Sequence, residues 1–386
     1  MKIKVCGDSI TKGVIFDETK GRYTFMKNSG MKTLQTMLQA VMKNVSKFGC
    51  TTEKGKDILQ KNAGHIAESD YTILEYGGND CDMPWDAIAE NPDQSYPANV
   101  PEEQFEQNYA QMIEETQNLG SLPVLMTLPP LDQNRFYRWV SSLAEKKNAD
   151  AKVNILKYLN GSTDTIYRWQ QNYNAAVLRL AKKYNLPAIA FSHENNKQET
   201  LMGTPWMILD ADALSPFFLR EVYCRHHHIP LMITTTSRCT IRELTVKQLP
   251  ELLLLQKENK NNPSGCFFPQ NCCTTVAAET FLLDYIKNQY SFYGYGIYGI
   301  FKKTDDTFLG IAGFSPLENT EDYYVEIGYS ILKEWQRQGF ASEVLPALLH
   351  FEKEYLYFTE VITRIEKENI ASIRLAKKNL LRIIMI

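Results

Sequence analysis

The alternation of short apolar strands with amphipathic helices along residues 1–190 limits the possible folds of this chain more than any other feature. Repeated β-α units imply a parallel sheet with helices on both faces, a three-layer α/β/α fold. In such a sheet the functional site is expected beyond the carboxyl ends of the strands. The predicted strands end at Val5 or span Tyr71–Tyr76, Pro123–Leu128 and Pro187–Phe191, and the predicted helices span Met31–Val45, Pro101–Leu119 and Asp164–Tyr184.

A different pattern begins at Thr240, where consecutive strands are joined by polar turns and followed by two strand-helix pairs. This order predicts an α+β domain with a mixed, mainly antiparallel sheet. A chain of 386 residues is also too long for one typical core. We therefore predict one domain over residues 1–232, a Thr/Ser-rich linker at 233–239 and a second domain over residues 240–386.

The composition excludes several classes of protein. Lys and Arg total 42 against 45 Asp and Glu, a net charge of −3, so no electrostatic feature favours nucleic acid or an anionic membrane. No apolar run approaches the roughly 20 residues that span a bilayer, and no signal peptide is recognised. Eight cysteines without Cys-x-x-Cys spacing predict a cytoplasmic protein, and Cys224–His228 lacks the spacing of a zinc site.

Three stretches of the first domain carry groups that ester hydrolysis requires. Gly7-Asp8-Ser9 places a hydroxyl beyond the first strand, and Gly77-Gly78-Asn79-Asp80 places a carboxamide beyond another strand. Between them, Asn44–Thr52 contains Gly49, whose backbone N–H is unobstructed by a side chain. A serine esterase needs a nucleophile, a base and donors aimed at the oxyanion.

Through Gly7-Asp8-Ser9, Gly49 and Gly77-x-Asn79-Asp80, residues 1–190 resemble the SGNH (GDSL-type) hydrolases, which have a flavodoxin-like α/β/α fold. The resemblance implies that Ser9 is the nucleophile. It also implies that the Ser9 N–H, the Gly49 N–H and the Asn79 side chain form the oxyanion hole.

The base of this family is the histidine of an Asp-x-x-His element, which is absent here. The nearest match is Asp212-Ala213-Leu214-Ser215-Pro216, where Asp212 is present but Ser215 replaces the histidine. A serine cannot accept the proton as an imidazole does. Three interpretations remain open: a genuine loss that leaves a binding-only or very slow site, a reading-frame disturbance within residues 190–238, or a substitute among His226–His228.

The stretch Glu326–Glu343 combines a strand, a glycine-containing loop and the start of a helix. The N-terminus of a helix presents free N–H groups and positive potential, which suits a diphosphate. Gly339 allows the backbone to approach a phosphate closely. The sequence therefore predicts a diphosphate site at Gln336–Ala341.

Through Gln336–Ala341 and Asn369-Ile370-Ala371-Ser372, residues 240–378 resemble the GNAT acetyltransferases, particularly those similar to ribosomal-protein N-acetyltransferases. The resemblance implies acetyl-CoA as co-substrate and no metal. By this resemblance Ile331 and Leu332 offer backbone groups to the pantetheine, and Glu326 accepts the proton of the amine. The remaining implied contacts are with the pyrophosphate, from Arg337, Gln338, Gly339, Phe340, Ala341 and Ser342, and near the pantetheine, from Asn369 and Ser372.

Two departures from this family affect turnover. Ala376 replaces a tyrosine that often acts as the general acid, and Asn379-Leu380-Leu381 replaces a Gly-Phe element, after which one short strand fits but a final strand does not. We expect acetyl-CoA binding to survive better than turnover. The predicted function is bifunctional, ester hydrolysis and acetyl transfer on small-molecule esters and amines, with the oligomeric state left open. The alternative is a non-catalytic protein whose degenerate sites bind ligands or partners.

Overall fold

The chain is described by a computed structural model that covers residues 1–17, 19–192, 206–210, 213–259, 266–269, 272, 274–317 and 324–386. It divides into two compact units, unit 1 (Met1–Val222) and unit 2 (Tyr223–Ile386). Across these described ranges, no helix has the length and apolar character required to cross a membrane.

Unit 1 is built around a parallel sheet with the strand order β4-β1-β5-β6. Its strands are β1 (Lys2–Gly7), β2 (Val14–Asp17), β3 (Arg22–Phe25), β4 (Val41–Asn44), β5 (Tyr71–Glu75), β6 (Leu122–Met126), β7 (Ile189–Phe191) and β8 (Trp206–Ile208). Its helices are α1 (Ser9–Lys12), α2 (Gly30–Met37), α3 (Thr52–Lys61), α4 (Ala63–Ala67), α5 (Trp85–Glu90), α6 (Glu102–Asn118), α7 (Gln133–Ala144), α8 (Ala151–Tyr158), α9 (Asp164–Lys183) and α10 (Pro216–His226), within which the division falls.

Successive side chains of the central strands enter two different cores, as the two-residue period of a strand requires. Val5 and Ile73 pack with Met31 of α2 on one face of the sheet. Cys6 and Leu74 pack on the other face with apolar residues of α3, α6 and α9. The prediction of a parallel sheet covered by helices on both faces is confirmed.

The helix predicted over Met31–Val45 was wrong in its second half. Helix α2 ends at Met37, and Gln39 adopts a positive φ of 46° while the Ala40 N–H bonds to the Gln35 carbonyl, as in a Schellman cap. The following residues form β4, which extends the sheet through its pairing with β1. This tertiary pairing overrides the helical periodicity of the sequence.

Strand β7 was expected to join the main sheet, and this expectation was wrong. Its three residues pair with β8 in a separate two-stranded parallel sheet, with Ile189 opposite Trp206. Among the described strands, β6 is therefore one edge of the main sheet, and β4 is the other. The sequence of β7 identifies a strand but contains nothing that selects its partner.

Unit 2 contains a mixed sheet with the strand order β15-β14-β13-β12-β11-β10-β9. It is antiparallel from β9 to β13 and parallel from β13 to β15, so the predicted mixed, mainly antiparallel sheet is confirmed. The strands are β9 (Met232–Thr235), β10 (Cys239–Arg242), β11 (Ile297–Lys302), β12 (Phe308–Pro316), β13 (Tyr324–Ile331), β14 (Glu360–Ile365) and β15 (Arg382–Met385). The α-helices are α11 (Leu249–Glu258), α12 (Thr275–Tyr285), α13 (Phe340–Phe351) and α14 (Ile370–Lys378).

Residues 233–239, predicted to be a linker, instead contribute to a hairpin of strands β9 and β10. The turn is closed by a hydrogen bond from the Thr236 N–H to the Cys239 carbonyl. Ile233 is buried, and the threonines around it are β-branched residues that favour strands. Their polarity had suggested a linker, but β9 pairs with β10, which in turn pairs with β11, and they are therefore part of the sheet.

Helix α13 is anchored by its inner face. Phe340, Val344 and Leu348 are spaced at i, i+4 and i+8 and are all buried. A short 3₁₀ turn, Lys333–Trp335, connects the end of β13 to the loop before this helix. Because Phe340, the first residue of α13, is buried, its packing fixes the position at which the loop before the helix ends.

Candidate functional site

The three loops singled out in unit 1 follow three adjacent parallel strands. Strand β1 lies between β4 and β5, and the loops after these strands contain Ser9, Gly49 and Asn79. Ser9 is the first residue of α1, which is capped by Asp8 through a hydrogen bond from the Ile10 N–H (2.8 Å). The sheet topology thus brings the three predicted stretches to the same edge.

The Asn79 side chain ties these loops together. Its Nδ2 donates to Asp8 Oδ2 at 2.8 Å and to the Cys50 carbonyl at 3.2 Å. These acceptors belong to the neighbours of Ser9 and Gly49 in the chain. Because a carboxamide NH₂ group has two hydrogens, both donors of Asn79 are engaged. Donation to an oxyanion would require one of these bonds to break.

Ser9 and Gly49 have different surroundings. The Ser9 side chain is half-buried, and its hydroxyl makes no hydrogen bond with any other residue in the described part of the chain. Gly49 has a φ of 64°, in the region that favours glycine, and open space surrounds the position of a Cβ. The predicted nucleophile therefore has no base in hydrogen-bond contact among the described residues.

Three buried carboxyl groups lie beneath this edge of the sheet. Burial, followed by the charge of Asp8, raises the pKa of Glu75 to about 8. Burial also raises the pKa of Asp8, although bonds from the Ile10 N–H and Asn79 oppose the shift. Burial raises the pKa of Asp80 to about 6 despite bonds from the Thr52 N–H and hydroxyl. Negative charge at Asp8 disfavours an oxyanion nearby.

The predicted base element is described only in part. Asp212 lies outside the described residues, whereas Ser215 accepts a hydrogen bond from the Phe218 N–H at 3.1 Å and so caps α10. Ser215, at the position where the sequence resemblance implied a histidine, thus caps a helix. His226–His228 belong to unit 2. No group of three or more metal-ligating side chains was found among the residues that the structure describes.

In unit 2, two parallel strands separate part of the way along their length. Strands β13 and β14 pair over Tyr324–Glu326 and Glu360–Ile362, and this pairing stops although both strands, fully described, continue further. Beyond that point β13 pairs only with β12, and β14 pairs with β15. The divergence opens a gap beside the carboxyl half of β13.

The loop Gln336–Gly339 lies between the end of β13 and the start of α13. Gln336 Nε2 donates to the Ile331 carbonyl at 2.8 Å, and Gln338 Nε2 donates to the Glu334 carbonyl at 2.9 Å. Arg337 and Gly339 have positive φ values of 61° and 84°. Because the first N–H groups of a helix have no partner within it, this loop leads into a helix N-terminus that presents donors. A diphosphate bound there stays a prediction.

The backbone of Ile331 and Leu332 is partly engaged within the protein. The Ile331 carbonyl accepts the bond from Gln336, the Leu332 N–H donates to the Leu309 carbonyl, and the Leu332 carbonyl accepts from Trp335. A carbonyl oxygen can accept a second hydrogen bond. A pantetheine contact at these two residues, which stays a prediction, would therefore use their carbonyl groups.

Glu326 lies where β13 and β14 begin to diverge, and it forms an ion pair with Arg364 of β14. Its Oε2 is 2.6 Å from Arg364 Nη2 and 2.8 Å from Nε, whereas Oε1 accepts only a longer bond, 3.3 Å, from the Arg364 N–H. The Glu326 side chain is 17% exposed. The carboxylate is oriented by Arg364 and retains acceptor capacity at Oε1.

Two hydroxyl groups meet across the gap between β13 and α14. Tyr329 Oη and Ser372 Oγ are 3.0 Å apart, and the Ser372 N–H bonds to Asn369 Oδ1, the cap of α14. Burial raises the pKa of Tyr329, although the bond with Ser372 opposes the shift. Ala376, in place of the tyrosine common in similar proteins, packs in a small apolar cluster. Tyr329 supplies a phenol near the predicted Asn-x-x-Ser element.

The sequence analysis did not identify Arg238 or Glu343, which contact the loop and the first turn of α13. Arg238 Nη2 donates to the Gln338 carbonyl at 3.0 Å, and its Nε pairs with Glu343. Arg238 had been assigned to a linker, and one hundred residues separate it from Gln338. Nothing in the local sequence signals so distant a contact.

A comparison with protein families identifies part of unit 2. Residues 238–380 match the sequence model of the acetyltransferase (GNAT) domain. The match includes the loop Gln336–Gly339, Glu326 and the pair Tyr329–Ser372, and it lies wholly within unit 2. The chain therefore contains a GNAT acetyltransferase domain at residues 238–380.

Similar solved structures include an acetyltransferase (GNAT family) from Bacillus anthracis, at 18% identity, covering 38% of this chain and 80% of that one, with a TM-score of 0.31. A ribosomal L7/L12 α-N-protein acetyltransferase in complex with coenzyme A is 22% identical, over 38% and 82% of the two chains, with a TM-score of 0.33. An acetyl transferase from Salmonella typhimurium that modifies the N-terminal serine of 50S ribosomal subunit protein L7/L12 is 21% identical, over 38% and 81%, with a TM-score of 0.31.

Proposed function

We propose that this protein transfers an acetyl group from acetyl-CoA to an amine, at a site formed by β13, β14 and the start of α13. The observation that carries this proposal is the combination of the β13–β14 gap with the donor-rich loop Gln336–Gly339 at its end. The gap leaves the carboxyl half of β13 unpaired on the β14 side, and the loop offers N–H groups to an anion. The match of residues 238–380 to the GNAT domain supports the same assignment.

The loop fits a diphosphate for a specific reason. With Gly339 as the residue before α13, the N–H groups of Phe340 and Ala341 open the helix, and the helix dipole adds positive potential there. Arg337 and Gly339 both have positive φ, a backbone conformation that also occurs in anion-binding segments. Acetyl-CoA bound here would supply a thioester as the acyl donor.

The side chains at the gap suit proton transfer. Glu326 Oε1 can accept the proton that an attacking amine loses, directly or through one water, while Arg364 fixes the carboxylate. The hydroxyl pair of Tyr329 and Ser372 can donate a proton to the leaving thiolate as the carbon–sulfur bond breaks. Much of the expected acceleration comes from holding the amine and the thioester together.

The test is turnover by the full chain. Acetyl-CoA is incubated with peptides that have a free α-amino group and with small primary amines, and the acetylated product and released thiol are measured by mass spectrometry and a thiol reagent. We expect one acetylated amine for each thiol released. Binding of acetyl-CoA without any product would favour the non-catalytic alternative, and absence of binding would contradict the assignment of the site.

Ester hydrolysis at Ser9 is the second candidate function. It is supported by the network in which Asn79 bonds to Asp8 and to Cys50, which joins the loops of Ser9 and Gly49. Because both Asn79 donors are engaged and the Ser9 hydroxyl has no described base, we expect a slow reaction or ligand binding without turnover. An oxyanion hole and binding alone can still leave some rate above that in water.

A fluorophosphonate probe tests this second candidate independently of acetyl-CoA. We expect weak labelling of the wild-type protein at Ser9, established by peptide mapping, and none in Ser9→Ala. Ser142→Ala is the matched control, since Ser142 is a helical serine of unit 1 outside the three loops. A wild-type protein that stays unlabelled would leave unit 1 without esterase chemistry.

A further inference from the structure

We propose that Arg238 is a positioning residue for coenzyme A, because its contacts hold the loop Gln336–Gly339 in the conformation that turns N–H groups toward a diphosphate. This inference rests on the proposed acetyltransferase function. It adds a residue from the β9–β10 turn to a site that the sequence placed entirely on β13, α13 and α14.

Arg238 contacts the loop-helix junction at three successive points. Its Nη2 donates to the Gln338 carbonyl at 3.0 Å. Its guanidinium lies 4.4 Å from the centre of the Phe340 ring, within the range of a cation–π contact. Its Nε forms an ion pair with Glu343, in the first turn of α13. One guanidinium thus joins the Gln338 carbonyl, the first helical residue and the first helical turn.

The contact with the Gln338 carbonyl fixes the orientation of a whole peptide group. A trans peptide is planar, and its carbonyl and N–H point in opposite directions. The chain has no cis peptide among its described residues, so the Gly339 N–H points away from the side on which Arg238 holds the carbonyl. The positive φ values of Arg337 and Gly339 flank this peptide. Without Arg238, the peptide is free to rotate and to withdraw the N–H from a ligand.

The ion pair between Arg238 and Glu343 also reduces the negative charge at the N-terminus of α13. Glu343 places a carboxylate in the first turn of α13, where it would repel a bound diphosphate. Its carboxylate accepts bonds from Thr236, Ser237 and Arg238 of the β9–β10 turn. Burial alone would raise the pKa of Glu343, but these bonds outweigh it and lower the pKa. The Glu343 carboxylate therefore stays ionised, and the positive charge of Arg238 offsets its negative charge.

Arg242, the last residue of strand β10, provides a matched control. Its guanidinium forms two hydrogen bonds of 2.7 Å with Asp306 and lies 3.7 Å from the centre of the Phe301 ring. It has the same kinds of contact as Arg238, an ion pair and an aromatic ring, but its partners belong to β11 and the turn that follows it. A purely structural function of Arg238 would make the two arginines equivalent.

The experiment measures coenzyme A binding to the full chain by calorimetry for the wild type, Arg238→Gln, Arg238→Lys and Arg242→Gln. We expect Arg238→Gln to raise the Kd for coenzyme A about tenfold, as one charge-assisted hydrogen bond in a site implies. Arg238→Lys, which keeps the charge but loses the planar fork, should raise it about threefold. Both Gln variants should lower Tm by about 2–4 °C, but Arg242→Gln should leave Kd within about twofold.

3′-Dephospho-coenzyme A identifies the part of the ligand involved, because it keeps the diphosphate and lacks the 3′-phosphate. We expect Arg238→Gln to weaken its binding by the same factor. A smaller factor would overturn the inference, since Arg238 would then contact the 3′-phosphate directly. An Arg238→Gln or Arg238→Lys protein that binds coenzyme A as tightly as the wild type would also overturn it. A wild-type protein that does not bind coenzyme A would instead refute the proposed function.

Discussion

At the scale of single residues, the two oxygens of Glu326 differ in their partners. Oε2 receives both guanidinium contacts from Arg364, whereas Oε1 receives, from the residues that the structure describes, only a weak bond from a backbone N–H. A base must have a lone pair that the substrate can reach, and Oε1 retains one. The ion pair orients the carboxylate without using all of its acceptor capacity, so we assign proton acceptance to Oε1.

Replacing this carboxylate should affect chemistry rather than co-substrate binding. We expect Glu326→Gln to lower kcat for acetyl transfer by about 100-fold or more, the usual contribution of a general base. The KM for acetyl-CoA should stay within about twofold, since the loop that we propose as the diphosphate site is unchanged. Steady-state kinetics with the amine found in the turnover assay measures both constants.

Glu360→Gln is the control for this substitution. Glu360 lies on β14 and pairs with Arg382, so its loss also removes an ion pair from the same sheet. We expect kcat within about twofold of the wild type, because exposed ion pairs contribute little to stability. Equal losses of kcat in the two variants would show that Glu326 has a structural function only.

At the scale of strands and helices, the sequence predicted the loops after β1 and β5 because their periodicity and their glycines are local features. It also predicted the order of elements from β10 to β15. It did not predict β4 or the β9–β10 hairpin, because residues 41–44 become a strand by pairing with β1 and residues 232–235 become one by pairing with β10. The sequence also failed to predict that β7 pairs with β8, because this pairing too depends on a distant segment. Pairing with distant strands, and not local propensity, determines the secondary structure and the sheet position of these segments.

The end of strand β5 supports a prediction about pH. The unfolded chain loses the Glu75 proton near its ordinary pKa of 4.5, whereas the folded protein keeps it until about pH 8. Between these values the folded state binds more protons, so the free energy of unfolding falls as pH rises. We expect Glu75→Gln to be more stable relative to the wild type at pH 8 than at pH 5.

Urea unfolding at pH 5, 6.5 and 8 measures this difference. Glu68→Gln, at an exposed glutamate of unit 1, is the control and should keep the slope of the wild type. Parallel curves for the wild type and Glu75→Gln would contradict the account of a buried, protonated Glu75 beside Asp8.

At the scale of the whole molecule, the chain joins a three-layer α/β unit to a GNAT acetyltransferase domain. The strand, loop and helix around Gly339 were predictable because their sequence signals are local, and the diphosphate site proposed there stays a prediction. Arg238, Arg364 and Tyr329 were not, since their partners Gln338, Glu326 and Ser372 lie 38 or more residues away. The same holds for Asn79, whose donors were assigned to an oxyanion and instead bond to Asp8 and Cys50.

The most direct test of the central claim, a diphosphate site at Gln336–Ala341, is the thermal unfolding of the full chain with and without acetyl-CoA. At a hundredfold excess over Kd, we predict a stabilisation of about 2.7 kcal/mol in the wild type. Gly339→Glu should abolish it by placing a carboxylate at a φ of 84° beside the helix N-terminus. Gly120→Glu, at a φ of 82° in open space in unit 1, should retain it. A wild-type protein whose Tm does not rise with acetyl-CoA would contradict the proposed diphosphate site. A Gly339→Glu protein whose Tm rises as much as that of the wild type would also contradict it.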